Sequence, residues 1–146
     1  MYPVTLEKVT TTLGGRRALG ASPTTLGELA AAVEHGLPRA VVPAIAAHAA
    51  PAKGDLRQRI AALVVSPATY KRSPRLSPAA SERAERLARI VALAGQALGT
   101  VEEAQAWLGA PHPLLGDRQP IQVAATDLGA RQVERLLLNI EHGLPA

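Results

Sequence analysis

Cysteine is absent from this 146-residue chain, which excludes a disulfide framework, a thiolate nucleophile and a zinc knuckle. Phenylalanine is absent as well. With one tryptophan and two tyrosines, an apolar core has to be assembled from Leu, Val, Ile and a large share of Ala. Small aliphatic side chains favour close-packed helices, and Ala, Leu, Arg, Glu and Gln are strong helix formers. Runs of β-branched residues are short, the longest being around Val41-Val42 and Val64-Val65, so strands are disfavoured. The chain is expected to be all-α. No apolar run approaches the roughly 20 residues of a membrane span. The start, Met1-Tyr2-Pro3-Val4-Thr5-Leu6-Glu7-Lys8, lacks the basic residues and apolar stretch of a signal peptide. A soluble, cytoplasmic protein is expected.

The usual signatures of catalysis are missing too. His35, His48, His112 and His142 follow no metal-ligand spacing and have no acidic cluster beside them. Gly14-Gly15-Arg16-Arg17 lacks the strand and the Lys-Ser/Thr ending of a phosphate-binding loop. Ser22, Ser66, Ser73, Ser77 and Ser81 sit at helix starts or beside prolines, where capping explains them. No catalytic residue, metal site or cofactor is therefore expected, and the chain reads as a binding protein rather than an enzyme.

What is present is organised by charge and by helix punctuation. Residues 1–75 hold ten basic and four acidic side chains, a net of +6; residues 76–146 hold six and eight, a net of −2. A basic first half points toward phosphate or another anion, while ordinary solvated charge is the competing explanation. Residues 1–20 show no sustained apolar period and are expected to be a mobile arm. Thr25 with Glu28 forms a capping box ahead of Leu26, Leu29 and Val33, and Gly36 supplies the stop. A second helix is expected from Pro38 to His48, kinked at Pro43. Asp55 is expected to cap a third helix carrying Leu56, Ile60 and Leu63. Ser66-Pro67 then opens a short basic segment, Ala68 to Arg72, that Pro74 ends. Helix, turn and basic helix make the outline of a helix-turn-helix, with domain limits expected at 21–75.

Ser77-Pro78 starts a longer helix through Leu98, with Leu87, Val91, Ala94 and Leu98 inward and Arg83, Arg86 and Arg89 outward. Thr100 with Glu103 caps a short helix ending at Trp107-Leu108-Gly109. The proline-rich stretch 110–120 is expected to be irregular. Thr126 caps a last helix with an apolar stripe of Val133, Leu136, Leu137 and Ile140, closed by Gly143. Trp107 reads as core rather than as an interface anchor. Glu34-His35-Gly36-Leu37-Pro38 and Glu141-His142-Gly143-Leu144-Pro145 repeat each other, and helix-exit chemistry accounts for both.

From Leu76 onward the chain resembles the toxin-binding domain of the Xre/MbcA/ParS-type antitoxins, partners of RES-domain toxins. The residues that carry the likeness are Leu76-Ser77-Pro78, Ser81, Arg83 and Arg89; Ala104 and Trp107-Leu108; Leu114, Gly116 and Pro120; then Thr126, Gly129, Val133, Leu136, Ile140-Glu141 and Gly143. The preceding region resembles the Xre-like helix-turn-helix of the same family. The likeness implies a small N-terminal helix-turn-helix bundle followed by a toxin-binding domain at 76–146. It further implies an antitoxin of a type II system that covers the NAD-binding cleft of a RES toxin, assembles as a homodimer within the toxin complex and binds promoter DNA.

Toxin binding is then expected at Asn139, Glu141, His142, Gly143, Leu144, Pro145 and Ala146, where a short, proline-stiffened tail can enter a cleft at low entropic cost. Packing of Leu144 on its own helix end is the alternative. DNA contacts are expected from Thr69, Tyr70, Lys71, Arg72 and Arg75, with Arg16 and Arg17 adding phosphate contacts. The basic segment is shorter than the family's recognition helix, and Pro74 interrupts it. A stand-alone helix-turn-helix regulator whose C-terminal half dimerises is the alternative function.

Overall fold

Local capping chemistry sets where most of the helices begin. In a computed structural model that describes residues 2–144, the side chains of Thr25, Ser66, Ser77, Thr100 and Thr126 each accept a backbone N–H three residues on. The helices they open are α3 (Leu26–His35), α6 (Pro67–Arg72), α7 (Pro78–Leu98), α8 (Val101–Gly109) and α10 (Asp127–Glu141). The remaining helices are α1 (Leu6–Thr12), α2 (Gly15–Leu19), α4 (Val41–Ala49), α5 (Leu56–Val64) and α9 (Pro120–Val123). Among the described residues there is no strand, only two isolated bridges, Pro38 with Arg75 and His112 with Arg118. The all-α expectation holds.

Helix α7 is the axle. It packs against α1, α3, α4, α5, α8, α9 and α10, and its buried residues lie all around it, from Ala80 and Ala84 through Leu87, Ala88, Ile90, Val91 and Leu93 to Ala94. Alanines on several faces let the neighbours approach closely, which compensates for the absence of large aromatics. One contiguous buried cluster runs from Val4 to Leu137.

That central position corrects one expectation. Arg83, Arg86 and Arg89 do not point outward. Arg83 donates through Nε and Nη2 to the Val64 carbonyl at the end of α5 (3.0 and 2.9 Å), and Arg86 donates to the Ala125 carbonyl (2.9 Å). Arg89 lies between Glu85 (3.3 Å) and Glu134 of α10 (2.9 Å), with its guanidinium over the Tyr2 ring. A helix covered on every side has to bring its cations in, and each is satisfied by an orphan carbonyl or a carboxylate.

The first twenty residues are not a mobile arm. Thr5 accepts the Lys8 N–H to cap α1, and Leu6, Val9 and Leu13 share one face, with Val9 and Leu13 fully buried. The threonine-rich stretch tolerates a helix because Thr10 and Thr12 donate back to the carbonyls of Glu7 and Lys8. Helix α4 begins at Val41 rather than Pro38, so Pro43 falls in its first turn. A first-turn N–H has no intrahelical acceptor, so proline costs nothing there and no kink results. Asp55 makes no cap bond; it pairs with Arg59 at 3.4 Å, both exposed. Within 110–120 the expected irregular loop contains a 3-10 turn, Pro113–Leu115, and ends at Pro120, the first residue of α9. Trp107 packs against the core with its ring edge-on to His112 (5.7 Å).

Candidate functional sites

Helix α6 follows α5 after a two-residue turn and has no buried residue. Proline at its first position and the Ser66 cap fix its start. Its hold on the body comes from Arg39, whose guanidinium donates to the carbonyls of Tyr70 (3.0 Å) and Lys71 (3.3 Å) and lies over the Tyr70 ring at 5.4 Å. Those carbonyls belong to the last turn, where no intrahelical donor remains. A cation there also meets the negative end of the helix.

The exit from α6 is stitched to the exit from α3. The Arg39 N–H donates to the Pro74 carbonyl (3.0 Å) and the Leu76 N–H to the Leu37 carbonyl (2.8 Å). The Arg75 guanidinium donates to the Gly36 carbonyl (2.7 Å), and the Leu37 N–H donates to the buried Ser81 hydroxyl (2.8 Å). Gly36 makes this possible. Its φ is +104°, and a Cβ there would sit 2.5 Å from the Leu76 carbonyl oxygen.

The residues expected to meet DNA therefore divide. Lys71 and Arg72 are exposed at the end of α6. Thr69 is exposed, and its hydroxyl oxygen accepts from Ser66 (3.0 Å) and from Arg72 (3.3 Å). Tyr70 is half-buried beneath Arg39, and Arg75 is committed to Gly36. Arg16 and Arg17 are exposed on α2, which packs against α1 and α4. Arg39 was not anticipated from the sequence, because its partners lie more than thirty residues away and leave no local spacing to read.

The second surface is the end of α10. The Leu144 N–H donates to the Asn139 carbonyl (2.7 Å) and the Gly143 N–H to the Ile140 carbonyl (3.1 Å), with Gly143 at φ +71°. This is a Schellman closure, which needs the left-handed glycine. The Leu144 side chain nevertheless stays 57% exposed. His142 and Gly143 are exposed, while the Glu141 carboxylate accepts from Gln96 (2.7 Å). The structure thus gathers Asn139, Glu141, His142, Gly143 and Leu144 at one helix end. Pro145 and Ala146 lie outside the described residues.

Several residues that carried the family likeness hold the scaffold. Ser81, Arg83 and Arg89 make the buried bonds given above, and a Cβ at Gly129 would collide with the Val123 carbonyl, so only glycine lets α10 start over the end of α9. Burial raises the Tyr2 phenol pKa, reinforced by the Glu85 charge and the hydrogen bond to it (2.6 Å). Among the described residues no three His, Asp or Glu side chains form a metal-ligand set. No helix of the described residues is long and apolar enough to cross a membrane.

Residues 28–89 match the Antitoxin Xre-like helix-turn-helix domain, and residues 93–143 match the Antitoxin Xre/MbcA/ParS C-terminal toxin-binding domain. A search of curated proteins found no match. The two matched ranges follow one another within α7. The first contains the stitched α6 platform and the second contains α8 to α10. With both domains present in this order, the chain belongs to the Xre/MbcA/ParS-type antitoxins, with a helix-turn-helix domain preceding a toxin-binding domain.

Proposed function

We propose that this antitoxin neutralises a RES-domain toxin, as part of a type II system in the cytoplasm, by covering the toxin's NAD-binding cleft with the segment Asn139 to Ala146. It acts by occlusion and performs no catalysis of its own. The observation that carries this reading is the toxin-binding match over 93–143, whose last residues, His142 and Gly143, are exposed, with Leu144 more than half exposed beyond them. A left-handed glycine turn followed by Leu-Pro is a stiff apolar projection, which loses little freedom on entering a cleft. The decisive experiment co-expresses the chain with the RES-domain protein of a flanking reading frame. The full chain is expected to stop NAD consumption, and removal of Leu144, Pro145 and Ala146 to restore it. Inhibition that survives the truncation refutes the plug.

Autoregulation is the second part of the proposal. An antitoxin homodimer within the toxin complex places α6 on promoter DNA, with Lys71 and Arg72 as phosphate contacts and Thr69 at base edges or phosphates. Arg16 and Arg17 add phosphate contacts from α2. Tyr70 and Arg75 support α6 through Arg39 and Gly36. Replacing Lys71 and Arg72 by Ala is expected to lower the salt slope of promoter binding by about two, one per lost phosphate contact. An unchanged slope moves the DNA contact away from α6.

A further inference from the structure

The inner stripe of α10, Ala130, Val133 and Leu137, is buried, and α10 packs against α7 and α9. Its outer face has no such cover. Leu128, Arg131, Gln132 and Arg135 stand at i, i+3, i+4 and i+7, one side of a helix. With Leu114 and Leu115 they line a groove of about 570 Å³. Leu128 is 79% and Leu114 61% exposed, the two most exposed large hydrophobic residues among those described.

Leu114 does not reach solvent by being loose. Pro113 fixes the start of its 3-10 turn, the Leu114 N–H donates to His112 Nδ1 (3.1 Å), and Leu115 is anchored in the core. The His112 N–H donates to the Arg118 carbonyl (3.1 Å) and closes the loop. The leucine wall is therefore preformed, which spares the ordering cost of binding. The rim is cationic and under-neutralised. Arg131 reaches Asp127 only at 4.0 Å, and among the described residues Arg135 has no carboxylate within ion-pair distance.

We infer that this groove is the affinity-bearing dock for the toxin, taking an aliphatic or aromatic side chain bracketed by Asp or Glu on the toxin surface. The inference rests on the toxin-binding reading above, and all of the groove's residues lie within the 93–143 match. It separates two tasks. The groove holds the partner, whereas the end of α10 covers its cleft.

The test measures binding of the purified RES-domain protein from the flanking reading frame to the full chain and to Leu128→Glu, Arg135→Glu and the variant lacking Leu144 to Ala146. Leu128 occupies the exposed first turn of α10, where a carboxylate suits the helix dipole, so the Leu128→Glu chain is expected to melt as the wild type does. Each charge-reversing groove variant is expected to bind at least about tenfold more weakly, as for a lost interface anchor. The truncated chain is expected to bind within about threefold of wild type while no longer inhibiting. Groove variants that bind within about twofold of wild type overturn the dock and leave the toxin-binding reading standing. A wild-type chain that fails to bind the protein overturns both. Unchanged toxin binding with loss of the chain's own dimer, or with loss of promoter binding, assigns the groove to a second copy or to DNA and overturns the inference.

Discussion

Gly36→Ala tests the stitch that carries α6. At φ +104° an alanine is in a region that L side chains rarely adopt, at a cost of about 1–3 kcal/mol. Its Cβ would also lie 2.5 Å from the Leu76 carbonyl oxygen, and that atom is backbone, so the two segments have to separate. Separation sacrifices one or two of the four bonds joining 36–39 to 74–81, at about 1 kcal/mol each. The expected total is about 3 kcal/mol, or a fall in Tm of about 9 °C for a domain of this size. Gly99→Ala is the control, since Gly99 also has a positive φ, +91°, but nothing lies within 4 Å of a Cβ there. Thermal and urea unfolding of both variants measure the difference. Amide exchange across 67–72 should accelerate in Gly36→Ala alone, because α6 hangs from that stitch. Equal destabilisation of the two variants would refute the argument from close approach.

Two further perturbations address the cluster joining α7 to α10 and the N-terminus. Arg89→Met removes the cation between Glu85 and Glu134, whose side chains are 18% and 13% exposed, and is expected to cost about 3 kcal/mol in urea unfolding because two carboxylates are left facing one another. Adding Glu134→Gln should recover part of that loss, and no recovery would mean that packing rather than charge is responsible. Folding raises the Tyr2 pKa from its ordinary value of 10.0, so the folded chain retains a proton that the unfolded chain releases above about pH 10. Its stabilising contribution is full below that pH and is lost as pH rises. Wild type should therefore lose stability between pH 9.5 and about 11 more steeply than Tyr2→Phe, and parallel curves would contradict this.

Wherever a helix announces itself by side-chain chemistry within three or four residues, the sequence is legible. Thr25 with Glu28, Ser66-Pro67, Ser77-Pro78, Thr100 with Glu103, and Thr126 all mark real helix starts. What escapes is whatever depends on neighbours distant in sequence. Arg83, Arg86 and Arg89 read as solvent-facing because nothing local reveals that α7 is enclosed on all sides. Arg39 and Gly36 derive their importance from residues 70–76. The N-terminal helices are a different kind of omission. The face of Leu6, Val9 and Leu13 is present in the sequence, but low-propensity threonines and paired glycines obscure it.

The sites follow the same division. Lys71 and Arg72 at α6, and Gly143 at the end of α10, were legible as local motifs. The roles of Tyr70 and Arg75 as supports, and the groove between Leu114 and Leu128, required the chain to be folded.

Helix α7 crosses the junction of the two matched ranges without interruption, with Ile90, Val91 and Ala92 buried at that point. Over 21 residues it is a strut of about 30 Å, gripped by neighbours from both domains. An adaptor with such a strut and no swivel cannot adjust the distance between what it holds at each end. Any spacing between operator half-sites gripped by a pair of these chains is then set by the geometry of the toxin that joins them.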